Sequence, residues 1–401
     1  MKYITILGDG WSDIPNGSGI TPLIAAKKPN IDKLAAMSVC GMCSTVPDGM
    51  KPGSDVANMS VMGFDPAKYY TGRSPLEAAS MGIALGAHDV SYRCNLVTLG
   101  GSGDYADLTM DDYSAGEIDT ETARKLIAEI NEKYAFPEGV ELYAGVSYRH
   151  CLVVRNGKTG ALLMPPHDIS GKCVKEYLPK GENAAMLADF MSATRKILAE
   201  SETNKARVAA GKKPVSSAWL WGEGTKPSFD SFFALYGLKG AVISAVDLVK
   251  GLGLVAGMDS IDVSGATGTL STNFAGKASA AIEGLKTHDY IYVHIEAPDE
   301  CGHQGDFAGK TRAIEIIDEK IVVPIFSALS SSGEDFKILI TPDHPTPVSL
   351  RTHTSAPVPF FVYDSRKKNT GVENYNEYTC NETGVYLPSG NDMLKLLLDL
   401  D

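Results

Sequence analysis

The residues most able to do chemistry are aspartates and histidines placed just beyond apolar runs. Asp9 follows the run at residues 3–7, and Asp299 with His303 follow residues 289–295 within EAPDECGHQGD. Asp343 and His344 follow residues 336–340 within TPDHPTP, and the same loop continues to His353. In open α/β sheets, ligands gather outside the carboxyl ends of the strands, so three strand ends would deliver these side chains to one place. Asp and His without cysteine suit Mn²⁺ or Zn²⁺, and less ideally Mg²⁺. The set is larger than one four-coordinate ion requires, which points to two ions. Two cations about 4 Å apart can clamp the attacking and leaving oxygens of an in-line phosphoryl displacement. Taken singly, each aspartate after a strand reads more simply as a turn residue or a helix cap. Recurrence at three strand ends favours a metal centre.

A nucleophile for that chemistry stands in KPGSDVANMSVMG, where Ser54 follows a Pro-Gly turn at the expected start of a short helix. A serine there is first of all a helix cap. A helix N-terminus also stabilises phosphate, and a bound metal lowers the pKa of a hydroxyl, so cap and nucleophile are compatible roles. Two glycine-rich stretches are set aside. GDFAGKT, from Gly305 to Thr311, resembles a phosphate-binding loop but has too few residues between its glycines and does not follow a strand. KGLGLVAG, with Gly251 and Gly253, lacks the dinucleotide spacing. Cys40 and Cys43 form a CxxC with no second pair at zinc-site spacing, and the 7 cysteines read as reduced thiols.

Placing the candidate ligands requires strands at 3–7, 289–295 and 336–340, with a further strand at 358–363 and an α/β stretch from 240. Helical patterns occupy residues 29–37, 55–62, 279–286, 311–329 and 392–400. Alternating strands and helices predict an α/β fold with a parallel sheet covered on both faces. From about residue 87 to 215 the texture changes, with strands expected at 92–99, 150–154 and 218–221 and a long helix over 183–210. This predicts a discontinuous core domain, 1–86 with 216–401, and a second α/β domain inserted as 87–215.

At 401 residues the chain has room for two domains of ordinary size, and 44% hydrophobic with 21% charged residues is an average globular composition. A formal charge of −12 argues against nucleic acid as a partner, since phosphate backbones need clustered Lys and Arg. It does not argue against a small anionic substrate, because metals and a few arginines invert a local field. The N-terminal MKYITILGDG lacks the length and cleavage site of a signal peptide, and no run is long enough to span a membrane. A cytoplasmic protein is the expectation.

ILGDGWSD, PGSDVANMSVMGFDP, YYTGRSPLEAAS, RCNLVTL, HIEAPDECGHQGDFAGK and TPDHPTP occur in order over nearly the whole chain. Together they resemble the archaeal-type cofactor-independent phosphoglycerate mutases of the alkaline phosphatase superfamily. The resemblance implies an alkaline-phosphatase-like sandwich core and a phosphoserine at Ser54. It implies one metal held by Asp9, Ser54, Asp343 and His344, and another by Asp299, His303 and His353, with Mn²⁺ foremost and no need for 2,3-bisphosphoglycerate. It makes residues 87–215 a lid, with Arg93, Asn95 and Arg149 on the phosphate and carboxylate of a small phosphorylated substrate. Arg93 and Arg149 could equally be salt-bridge residues. Asp55 stands where the longer bacterial-type mutases carry Glu, and no role follows from it. The implied reaction interconverts 3- and 2-phosphoglycerate. The rivals are a metal-dependent phosphomonoesterase, another phosphomutase on the same core, a homoserine-kinase-like phosphotransferase and a non-catalytic binding protein.

Overall fold

The apolar runs before the candidate ligands become the inner strands of one sheet in the computed structural model, which describes residues 1–400. Across this sheet the strands are Asp259–Ser260, Gly240–Ile243, Tyr290–Ile295, Lys2–Gly8, Phe336–Thr341, Val358–Asp364, Val39–Cys43 and Tyr386–Leu387. Every neighbouring pair is parallel except the two made by Val358–Asp364, which runs against both its neighbours. The sheet is thus mixed where the pattern predicted a parallel one. Tyr290–Ile295 and Phe336–Thr341 are buried at every position, as strands covered on both faces must be. On one face Ile4, Ile6, Val293 and Ile338 pack with Ala278, Ala281, Ile314 and Ile317 from the helices. Each such branched side chain contributes about 1.5–3 kcal/mol by leaving water.

Two helical expectations change in detail. The stretch at 311–329 is a helix Phe307–Ile317, a π-helical turn Asp318–Val322 and a helix Val323–Ser332. The wider turn brings Asp318 inward, where its carboxylate accepts the N–H groups of Asn30 (3.1 Å) and Ile31 (2.6 Å). These begin the helix Pro29–Ala35, whose own cap position, Lys28, makes no side-chain cap bond. The carboxylate therefore serves N–H groups that a helix start leaves without intrahelical partners. The long helix at 183–210 is two, Ala184–Glu200 and Glu202–Ala209, divided at Ser201, whose hydroxyl accepts the N–H of Asn204 at 3.1 Å.

The chain divides into two units, Met1–Tyr70 with Ser228–Asp401, and Thr71–Pro227. The boundaries lie outside the expected 86/87 and 215/216 because the flanking segments are built into the second unit. There the helix Ser74–Ser80 packs on the strand Val90–Gly100, and the strand Ser217–Thr225 pairs along that same strand. The sheet of this unit also contains Thr109–Asp112, Arg149–Val154 and Val140–Tyr143, and its pairings are antiparallel. The short connection at 144–148 is compatible only with an antiparallel pair, since a parallel pair needs a crossover of a dozen residues or more. All seven cysteines are free thiols; Cys173 is exposed and the other six are buried. No helix among the described residues is long and apolar enough to cross a membrane.

Candidate metal centre and nucleophile

The three strand ends do converge. Asp9 stands immediately after Lys2–Gly8, in a turn that leaves no room for side chains at its glycines. A Cβ on Gly8 would lie 2.2 Å from the Trp11 ring, and Gly10, at φ +60°, would bring one within 2.5 Å of Asp299 Oδ1. The Gly10 N–H donates to Asp343 Oδ1 at 3.1 Å, tying the first loop to the third.

Asp299 and His303 lie on a short helix, Ala297–Gln304, that the sequence pattern did not predict, with Pro298 in its first turn, where a missing N–H costs nothing. Spacing i, i+4 then puts both on one face, with His303 Nε2 3.2 Å from Asp299 Oδ2. His353 arrives from the loop after Phe336–Thr341 and sets its Nε2 3.0 Å from His303 Nε2 and 3.5 Å from Asp299 Oδ1. His303 Nδ1 faces the Arg351 carbonyl at 3.1 Å, so Nε2 is the atom turned toward the others. Burial pulls the His303 imidazole down, but pairing with Asp299 outweighs it and lifts the group to about 9. This corner of the molecule attracts positive charge.

The second group forms around His344. Its Nε2 lies 3.2 Å from Ser54 Oγ, 3.3 Å from Asp343 Oδ2 and 3.8 Å from Asp9 Oδ1. Ser54 opens the helix Ser54–Val61, one residue after the cap position held by Gly53. Asp9, Asp343 and His344 are buried. Burial disfavours the charge on Asp9, and the carboxylates of Asp343 and Asp299 add repulsion, so its pKa is pushed well up. Asp9 Oδ1 is buried without a hydrogen-bond partner. A buried acceptor left over among mutually repelling carboxylates, with imidazole nitrogens beside it, is a donor set that fits a divalent cation. Asp9, Asp343 and His344 place their ligand atoms within 4.8 Å of one another, as do Asp299, His344 and His353, so His344 lies at the junction of the two groups.

Four supporting residues were not foreseen. Asn58, one helical turn beyond Ser54, donates to the Ser54 carbonyl at 2.9 Å and to Asp343 Oδ2 at 2.7 Å, while its Oδ1 accepts the Tyr292 hydroxyl at 2.7 Å. His294 Nε2 lies 3.0 Å from Asp9 Oδ2 and its Nδ1 3.1 Å from Ser244 Oγ. The available signal was the presence of a tyrosine hydroxyl and an imidazole in the otherwise apolar YIYVHI, since buried polar groups need partners.

Within the second unit, strand register sets Arg93 opposite Trp221 and Asn95 opposite Arg149. The Arg93 guanidinium lies over the Trp221 ring at 4.0 Å, and its Nε lies 2.7 Å from Glu77 Oε2. Arg73 Nε reaches Glu77 Oε1 at 3.1 Å, and Arg149 lies over the Tyr148 ring at 5.3 Å. Burial pushes the Glu77 carboxyl up, but Arg93, Arg73 and Arg149 together hold it down, so one carboxylate sits among three guanidiniums and the patch has positive excess. Asn95 accepts the Trp221 indole N–H at 2.9 Å and donates to the Tyr113 carbonyl at 3.0 Å, which makes it a brace for Trp221.

A family profile described as 2,3-bisphosphoglycerate-independent phosphoglycerate mutase matches residues 35–204. Over 400 residues the chain is 49% identical to the 2,3-bisphosphoglycerate-independent phosphoglycerate mutase of Methanothrix thermoacetophila, covering 99% of this chain and 100% of that one. A solved protein of Pyrococcus horikoshii is similar at a TM-score of 0.79 and 27% identity, over 99% of this chain and 96% of that one. The cofactor-independent phosphoglycerate mutase of Thermoplasma acidophilum is similar at a TM-score of 0.65 and 25% identity, over 100% and 99% of the two chains.

Proposed function

The chain belongs to the 2,3-bisphosphoglycerate-independent phosphoglycerate mutase family, and from that membership we propose that Ser54 carries a phosphoryl group between the two hydroxyl oxygens of one glycerate. The observation that carries this reading is the Ser54 hydroxyl, 3.2 Å from His344 Nε2 at a helix start, inside a ring of buried carboxylates and imidazoles. Asp9, Ser54, Asp343 and His344 would hold one divalent cation, and Asp299, His303 and His353 the other. Mn²⁺ suits this mixed oxygen and nitrogen set, and Zn²⁺ and Mg²⁺ are the alternatives. Bound there, the cations supply charge stabilisation on the phosphoryl oxygens and acidify the serine hydroxyl.

The chain's own groups do the rest. Ser54 Oγ bonds to phosphorus as the bond from phosphorus to the substrate oxygen breaks, and that oxygen takes up the proton Ser54 gives away. Glycerate turns within the site, its other hydroxyl attacks the phosphoserine, and Oγ recovers a proton. Nothing is consumed, so 2,3-bisphosphoglycerate is not needed as a primer. The N–H groups at the start of Ser54–Val61 favour the phosphate dianion, and Asn58 holds the Ser54 carbonyl and Asp343 in a fixed relation. Arg93 and Arg149, with Asn95 bracing Trp221, are the groups for the substrate's phosphate and carboxylate. Water must be kept from the phosphoserine, since hydrolysis would turn a mutase into a phosphatase.

Phosphorus NMR of 3-phosphoglycerate with the Mn²⁺-loaded protein, and no bisphosphoglycerate, tests the reading. The 2-phosphate should appear with little inorganic phosphate; inorganic phosphate as the main product would make the chain a phosphomonoesterase. Arg149→Ala is expected to raise KM for 3-phosphoglycerate by about 10–100-fold, the equivalent of about 1.5–3 kcal/mol of charge-assisted hydrogen bonding. Initial rates over a substrate series would check it, and an unchanged KM would remove Arg149 from the substrate's contacts.

A further inference from the structure

We propose that Lys310 and Thr346 are positioning residues for the metal centre. Lys310 locks the ligand-bearing loops together, and Thr346 sets the pose of Asp299 and the tautomer of His344. The inference rests on the metal-ligand reading above. It also gives a role to GDFAGKT, the stretch whose spacing is wrong for a phosphate-binding loop.

Lys310 lies near the start of the helix Phe307–Ile317, with its side chain wholly buried. Its ammonium donates to Asp13 Oδ2 at 2.7 Å, to the Thr346 carbonyl at 2.8 Å and to the Ser12 carbonyl at 3.0 Å. An ammonium has three protons and no acceptor, so every donor is used. Asp13 Oδ2 also accepts the Val348 N–H at 3.1 Å. Ser12 and Asp13 belong to the loop that carries Asp9, and Thr346 and Val348 to the loop that carries Asp343, His344 and His353. Lys310 itself follows the helix that carries Asp299 and His303. One buried cation thus joins the three segments from which the aspartate and histidine ligands would come.

Thr346 turns that anchor into ligand geometry. Its hydroxyl has a single proton, and Asp299 Oδ1, 2.5 Å away, can only accept it. His344 Nδ1 lies 3.3 Å from the same oxygen, which must there act as acceptor, so Nδ1 carries the ring proton. His344 Nε2 is then left with its lone pair, and it is Nε2 that faces Ser54, Asp343 and Asp9. Neighbouring glycines leave Thr346 little freedom to shift. A Cβ on Gly302 would lie 2.5 Å from its carbonyl oxygen, and one on Gly10 2.5 Å from its hydroxyl. A merely structural ion pair would affect unfolding; a positioning unit must also affect how tightly the site takes a cation.

The test is Mn²⁺ affinity of the full-length protein, read by electron paramagnetic resonance of the free ion, beside the melting temperature of the metal-free form. Thr346→Val, which keeps shape but removes the hydroxyl, is expected to weaken Mn²⁺ binding by about 10–100-fold, the usual effect of losing an outer partner of a ligand. Thr346→Ser should restore binding to near wild type. Lys310→Met combined with Asp13→Asn, which leaves no buried unpaired charge, should weaken binding in the same direction; if this pair does not fold, the two Thr346 variants decide. Wild-type affinity in Thr346→Val, or a Thr346→Ser protein as weak as Thr346→Val, would overturn the proposal. A wild-type chain that binds no Mn²⁺ would sink the metal-centre reading and this inference with it, whereas an Asp343→Ala protein that loses Mn²⁺ while Thr346→Val keeps it sinks this inference alone.

Discussion

Ser54→Ala should reduce the interconversion of phosphoglycerates by about 10⁴–10⁶-fold in kcat, the scale on which other enzymes lose turnover when their nucleophile is removed. The aspartate and histidine groups and the arginine patch would remain, but no oxygen of the protein would be placed to accept the phosphoryl group. The fold has little reason to suffer. Ser54 makes no side-chain cap bond at the start of Ser54–Val61, where Gly53 holds the cap position, and alanine is a better helix former than serine. KM should move far less than kcat, since on this reading the substrate's charged ends would be held elsewhere. Phosphorus NMR gives the rate, and mass spectrometry of acid-quenched wild-type protein should find phosphate on the peptide containing Ser54 and none in the variant. A variant that kept even a hundredth of the activity would mean that the phosphoryl group travels another way.

Removal of divalent cations is expected to have the next largest effect. Asp9, Asp299 and Asp343 are buried together, and Asp9 is destabilised as an anion first by burial and then by its neighbours. Cations bound there would relieve that repulsion and stabilise transition-state charge by several kcal/mol, so dialysis against a chelator should lower activity by about 10³-fold or more. Mn²⁺ should restore it in the wild type but not in Asp343→Ala, which also strands Asn58 and the Gly10 N–H. Binding should raise stability as well, by about 2.7 kcal/mol per site at a hundredfold excess over Kd. Calorimetry in the presence and absence of Mn²⁺ checks this, and identical melting curves would count against cation binding by the native state.

The meeting of these side chains was legible because a parallel strand ends on one known side of its sheet, and Asp9, Asp299 and Asp343 each follow such a strand. The place of Ser54 at a helix start was legible because a serine after Pro-Gly, before a helical pattern, is recognisable locally. Residues whose meaning depends on distant partners were not. Asn58 bonds Asp343 across 285 positions of sequence, and His294 reaches Asp9 across another 285, so neither pattern nor spacing could name their partners. The short helix that carries Asp299 and His303 was not foreseen, although proline is welcome in a first helical turn. The second unit's boundaries were misplaced for a related reason. Ser74–Ser80 and Ser217–Thr225 show their allegiance only through packing and pairing with Val90–Gly100.

Because six of the seven thiols are shut inside the protein while Cys173 faces solvent, a maleimide dye would enter the unaltered chain at a single place. That place lies in the unit Thr71–Pro227, well apart in sequence from every candidate cation ligand. The natural sequence therefore already carries a handle for a fluorescent reporter on this unit, and no cysteine has to be engineered away before its response to phosphoglycerate is watched.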